Sequence, residues 1–374
     1  MFSRRQFLIS GGAGLLAAGC AGRSGAAHVE PQPFGQLPDG QAVTLYRLHN
    51  GTGAVASVMT YGAALTGLEM PDAIGGRVQM VLGLDDLEAY RTRSRNFGTT
   101  VGRYAGRINR GRFVLDGEVV QLETGGSAHS SHGGPVGFAK RNWSGQVLDG
   151  SAVRLSLISA DGDQGFPGEL RISVTYRLTA DNQLCLAFRA TTTRPTVLNP
   201  THHSYFNLSG VPGSSIDDHL LSIEADTFTA FGPGKIVTGE MRSVAGTALD
   251  FRQAKPVGRD AAAEEEQMRI AGGYDHGFVL RRSSGGDLIC AARLIHPGSG
   301  RSLELWTTEP GVQLFTANGL DLAGRGGVHY GPRAGLCLEP QHFQDSPNRP
   351  EFPSTLLRPG AVFTSRSEYR FGVP

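Results

Sequence analysis

Residues 170–179, LRISVTYRLT, alternate without a break: Leu170, Ile172, Val174, Tyr176 and Leu178 fall on one side, Arg171, Ser173, Thr175, Arg177 and Thr179 on the other. Successive side chains of an extended chain point to opposite faces, so this run buries all its apolar residues together only as a strand. Asp181 and Asn182 then lead into QLCLAFRA (183–190), which repeats the alternation, and the two runs predict an antiparallel hairpin. GRFVLDGEVVQLE (111–123) predicts another, with Asp116 and Gly117 able to take the positive backbone angles of a two-residue turn. Helical patterning is confined to AAAEEEQMRI (261–270) and DDLEAY (85–90), in keeping with 53 glycines and 20 prolines. With no fixed-period repeat and no break in composition, the expectation is one all-β domain over residues 38–374, two large antiparallel sheets packed face to face.

The N-terminus reads differently. MFSRRQFLISGGAGLLAAGCAG pairs Arg4 and Arg5 ahead of an apolar run that ends at Leu16, too short for a membrane-spanning helix. Residues 1–20 resemble a twin-arginine export signal. LLAAGC resembles a lipobox, with Ala17 where a larger aliphatic residue is usual, which implies a lipid anchor on Cys20. Residues 21–37 are small, polar and proline-containing, as in a tether. The protein is expected in the periplasm or another extracytoplasmic space, touching membrane only through that anchor. Lys plus Arg number 35 against 34 Asp plus Glu, and no basic tract carries interleaved aromatics, which excludes nucleic acid as a partner. Cys185, Cys290 and Cys337 show no CxxC spacing; Cys185 and Cys337 lie in apolar runs and are expected as core thiols rather than disulfide partners.

Five segments hold residues suited to chemistry. In NPTHHSYFNLSG (199–210), His202 and His203 are adjacent, so on an extended backbone only one can address a given site. In AHSSHGGPVGFAKRNW (128–143), His132 precedes two glycines that let backbone approach a ligand. His129 and His132 invite a zinc reading, but no HExxH or cysteine pair completes a ligand set, and no metal is expected. In GLCLEPQHFQD (335–345), Glu339 ends an apolar run, either as a structural partner or as a base tuned by its surroundings. GRYAGRINRGRF (102–113) suits donor forks aimed at oxygens, or a solvent-facing strand; Asp275 in GGYDHGFVL (272–280) suits hydroxyl recognition, or its own turn.

In this order, GRYAGRI, SHGGPVGF, DGDQGFPGEL, NPTHHSYFNL, GGYDH, EPGVQLFTAN and LEPQHFQDSPNRPEFP resemble the aldose 1-epimerases, also called galactose mutarotases, from about residue 40 to the C-terminus. The resemblance implies a large antiparallel β-sandwich with an open cleft and a free monosaccharide such as galactose or glucose as substrate. It places His203 as general acid, Glu339 as general base, and His132, Arg107, Asp275 and Gln313 as sugar-binding residues. Two positions depart from the family pattern: His202 and Gly106 each stand where asparagine is usual, and the glycine implies one lost hydroxyl contact.

Anomer exchange needs a proton removed from the anomeric hydroxyl and one delivered to the ring oxygen, which suggests a base and an acid on opposite sides of the hemiacetal, the histidine protonated and the glutamate ionised. No cofactor has a task in this scheme. Three rivals remain: a sugar-binding module without turnover, a glycoside hydrolase or lyase, which would normally need two carboxylates, and an epimerase of phosphorylated hexoses, which would need a cationic cluster such as Arg103 with Arg107.

Overall fold

The structure is a computed structural model, and it describes residues 25–72, 75–282 and 286–372. Residues 1–20, expected as an export signal with a lipid anchor on Cys20, lie outside the described residues. Among these residues no helix is long and apolar enough to cross a membrane.

The alternating runs fold as their period demands. Leu170–Leu178 and Gln183–Thr192 pair antiparallel, residue 174 opposite 188, with every second residue of the first strand buried. Arg112–Leu115 and Glu118–Gln121 form the second hairpin, Asp116 and Gly117 at φ 50° and 86°. Both central residues at positive φ give the turn a twist that matches its strands. The strands Leu170–Leu178 and Gln183–Thr192 belong to a nine-stranded sheet in which the C-terminal strand, Phe363–Gly372, lies between Gln183–Thr192 and Ser302–Thr307. Two five-stranded antiparallel sheets complete the frame. One is a meander over residues 28–79; the other runs Val237–Ser243, Ala225–Phe231, Asp275–Leu280, Gly311–Phe315, Cys337–Gln341. A single apolar core draws on all three, including Leu48, Val174, Leu186, Phe228, Leu305 and Leu338.

Three sequence expectations are corrected. Residues 28–36, read as tether, form a strand paired with Ala42–His49. It is the sheet's outermost strand, where Pro31 and Pro33 can be accommodated because one row of backbone donors needs no partner. The sandwich has three principal sheets rather than two, because alternation reveals which side is buried but not which strands pair. The helix expected over 261–270 is confined to Glu266–Ala271: the Glu265 carboxylate accepts the Ala248 N–H at 2.9 Å, and Gly272 closes the helix at φ 73°. The other helix is Leu87–Thr92, with Asp86 accepting from the Ala89 N–H.

Candidate active site

His203 ends the short strand Thr201–His203, which pairs with Thr99–Val101. Glu339 lies in Cys337–Gln341, opposite Gln313 of Gly311–Phe315, whose Phe315 faces Asp275 on the next strand. Asn199 ties these pieces together. Its side chain accepts from the His342 N–H at 2.9 Å and donates to the His342 carbonyl at 3.1 Å, as a paired strand residue would. Its backbone accepts from Ala105 N–H and donates to the Arg103 carbonyl, each at 2.8 Å, which holds the segment leading to Arg107. Thr201 Oγ1 adds a bond to the Pro340 carbonyl at 2.8 Å.

These strands close a polar cavity of about 220 Å³. That is below the range usual for drug-sized ligands. His203, Glu339, Arg107, His132, Asp275 and Gln313 all line it, so the structure brings together all six residues singled out from sequence. His203 Nε2 lies 3.6 Å from Glu339 Oε1, with both side chains buried. The two groups expected as acid and base therefore adjoin each other rather than face across a ring. Adjacency suffices, because the anomeric and ring oxygens of a pyranose are bonded to the same carbon.

The ring of His203 is fixed on every side. Tyr205 stacks on it at 5.2 Å between centroids, while His132 and Phe315 meet it edgewise at 5.7 and 6.2 Å. Its Nδ1 faces Cys337 Sγ at 3.4 Å. Burial raises the Cys337 thiol well above its usual value, helped by the Glu339 and Asp275 charges, so the thiol stays protonated and can donate to Nδ1 or accept from it. In either case the Nε2 edge faces Glu339.

Burial depresses His203 to about 4 and raises Glu339 well above the carboxylate range, with Asp275 pushing Glu339 further. Both directions favour neutral groups, against the ion pair expected from sequence. At 3.6 Å and an effective dielectric of about 20, attraction within the ion pair is on the order of 5 kcal/mol, which offsets part of a burial penalty of several kcal/mol for each of the two ions. The two groups together hold one exchangeable proton and titrate as a pair.

Around this pair, His132 sits at φ 51° and its Nδ1 accepts the Gly106 N–H at 3.4 Å, which directs Nε2–H elsewhere. Burial holds His132 neutral, down to about 3. Asp275 accepts from Gln313 Nε2 at 2.7 Å and lies 3.9 Å from Lys235 Nζ. Burial raises Asp275, opposed by Arg107, Lys235 and Gln313. Sequence reasoning missed the aromatic walls Tyr205 and Phe315, and also Gln341 and Gln344, because only folding puts them here. The Gln341 side-chain oxygen is buried with no hydrogen-bond partner among the described residues, an acceptor suited to a hydroxyl ligand.

His202 points the other way, as alternation requires. Tyr176 donates to the Ala63 carbonyl at 2.6 Å and so accepts from His202 Nδ1 at 3.3 Å, while Ser204 Oγ lies 2.7 Å from Nε2. Arg103 is also structural: it is buried, and its guanidinium donates to Ser159 Oγ and to the carbonyls of Ser159, Ala160 and Pro167 at 2.8–3.0 Å. Cys337 is a core thiol as expected, whereas Cys185 is only half-buried.

Among the described residues, two clusters have metal-ligand composition, and neither contains His129 or His132. In the first, Cys337 and Glu339 address different nitrogens of His203, with the imidazole between them, so the three do not converge on one ion. In the second, His219 Nε2 accepts the Leu208 N–H and His296 Nδ1 accepts the Ser299 N–H, which puts N–H groups toward Asp218. Three hydrogen-bonded side chains explain that cluster without an ion.

Fold and cavity together define a β-sandwich protein with a small polar cavity in which an imidazole and a carboxyl group are paired. The family model described as aldose 1-epimerase matches residues 44–370. The chain is 40% identical over 343 residues to the galactose mutarotase of Bos taurus, covering 91% of this chain and 97% of that one. It is 39% identical over 337 residues to the aldose 1-epimerase of Escherichia coli (strain K12), covering 89% and 96%. Among solved structures, the galactose 1-epimerase of Lactobacillus acidophilus NCFM superposes with a TM-score of 0.81 at 26% identity, covering 93% of this chain and 99% of that one. The chain belongs to the aldose 1-epimerase family, isomerases that act on carbohydrates.

Proposed function

We propose that this protein interconverts the α and β anomers of free aldohexoses such as galactose and glucose, with Glu339 and His203 as its proton-transfer pair. The observation that carries the assignment is their 3.6 Å approach inside a monosaccharide-sized cavity. In the ion-pair form of the couple, the Glu339 carboxylate takes the proton of the anomeric hydroxyl while the His203 imidazolium delivers its Nε2 proton to the ring oxygen, leaving a carboxylic acid and a neutral imidazole. The bond from C1 to the ring oxygen breaks as the C1 carbonyl forms. Rotation about C1–C2 turns the other carbonyl face toward the freed hydroxyl, and reclosure returns both protons. Since the reaction runs both ways, a pair that holds one exchangeable proton serves both directions. Arg107, His132, Asp275 and Gln313 bind and orient the ring hydroxyls.

Specific features weigh against the rivals. Arg103, which the sugar-phosphate reading paired with Arg107, is committed to four internal acceptors instead. A hydrolase would need a second free carboxyl group, and Asp275 is engaged by Gln313 and Lys235. Retention of both proton-transfer groups is what a pure binding module would not need. In the same reading Arg4 and Arg5 belong to a twin-arginine-type export signal, Cys20 carries a lipid anchor, and the activity is extracytoplasmic.

Polarimetry of freshly dissolved α-galactose tests the assignment. Glu339→Gln should lose on the order of 10²- to 10⁴-fold in rate while sugar binding, read by calorimetry, stays within a few-fold. A variant within tenfold of wild type would remove Glu339 from the mechanism.

A further inference from the structure

Gly106 lies beside the sugar-binding Arg107 at φ 72°, and a Cβ built on it would fall 2.4 Å from Cγ and 2.7 Å from Cδ of Gln344. The space a side chain at 106 would need is therefore filled by another residue. Gln344 is buried, lines the cavity and is bonded at both ends of its amide: its oxygen accepts the Arg107 N–H at 3.1 Å, and its nitrogen donates to Gln313 Oε1 at 3.4 Å. Gln313 in turn donates to Asp275 at 2.7 Å. A carboxamide nitrogen carries two hydrogens, and this chain uses one of them through a long bond. The second is available to whatever occupies the cavity.

We propose that Gln344 is a specificity-determining residue of this enzyme. It supplies, from the loop after the Glu339 strand, the ring-hydroxyl contact that a glycine at 106 cannot make, and Gly106 is the complement that leaves room for it. Positive φ alone does not require glycine at 106, since asparagine tolerates the left-handed region. The steric conflict with Gln344 does, because any Cβ would turn the amide away from Arg107, Gln313 and the sugar together.

The inference rests on the mutarotase reading, and kinetics on galactose and a set of monodeoxy aldoses separate the two. If wild type does not accelerate mutarotation, that reading fails first. Given an active wild type, Gln344→Ala should raise KM for galactose about three- to tenfold, the effect of one hydrogen bond, with kcat changed less than twofold. The penalty should vanish on the one deoxy sugar that lacks the contacted hydroxyl, a pattern that general loosening of the site would not produce. Gly106→Asn should weaken binding at least as much, and Gly106→Asn combined with Gln344→Ala should return KM to within about twofold of wild type. An unchanged KM in Gln344→Ala, a penalty that persists on every deoxy sugar, a harmless Gly106→Asn, or a double variant no better than Gly106→Asn would each overturn the proposal.

Discussion

The buried imidazole of His203 owes its role to two neighbours on opposite edges, a thiol at Nδ1 and a carboxyl group at Nε2. Because burial depresses the imidazole to about 4, the pair loads a second proton only in acid. The sign follows: kcat should hold steady as pH falls from neutrality and drop as the imidazole becomes charged near pH 4, when neither group can accept a proton. A thiol hydrogen donated to Nδ1 favours the neutral ring, and by this reading Cys337→Ala should move that acid limb to higher pH. Rate profiles of the two proteins by polarimetry check this, and superimposable acid limbs would show that the thiol does not tune the imidazole. His202 illustrates how little a residue's type says about its duty. It is as buried as His203, and burial holds it down to about 3, yet its polar atoms are spent on Tyr176 and Ser204 inside the sandwich.

At the scale of elements, the site depends on strands from distant parts of the chain being held in register by a few side chains. Asn199 joins the Glu339 strand to the segment that carries Arg107, and with Ala in its place the half-buried N–H and carbonyl of His342 lose their partner. Asn199→Ala should cost about 1–3 kcal/mol, seen as an earlier urea midpoint, and kcat should fall more than KM rises because the catalytic groups lose alignment. If stability falls while kcat is untouched, Asn199 serves the fold alone. The hairpins at 170–192 and 112–121 were legible in the sequence because alternation and a two-residue turn are local properties. The strand His28–Gln36 was not, since its prolines read as a tether and only its place at the sheet edge makes them acceptable. The short helix Glu266–Ala271 was overestimated for a similar reason: a tertiary bond from Glu265 competes with local helix preference.

For the whole molecule, the final strand, Phe363–Gly372, sits inside the nine-stranded sheet, so the largest sheet is complete only when the C-terminus is in place. That dependence suits the twin-arginine route, which carries folded proteins. Replacing Arg4 and Arg5 by Lys-Lys should leave active precursor in the cytoplasm, and Cys20→Ser should free exported protein from membrane fractions. Fractionation with an activity readout checks both: normal export of the Lys-Lys variant, or Cys20→Ser protein still on membranes, would each remove the corresponding claim.

The sequence by itself determined the β character, the hairpins and the six residues that meet in the cavity, because each is carried by a periodic pattern or by a short motif in order. Which nitrogen of His203 faces Glu339, their titration as a pair, the internal use of Arg103 and the exchange of space between Gly106 and Gln344 were decided only by tertiary structure. Those properties arise between residues far apart in the chain, where burial, distance and excluded volume act, and no local pattern records them.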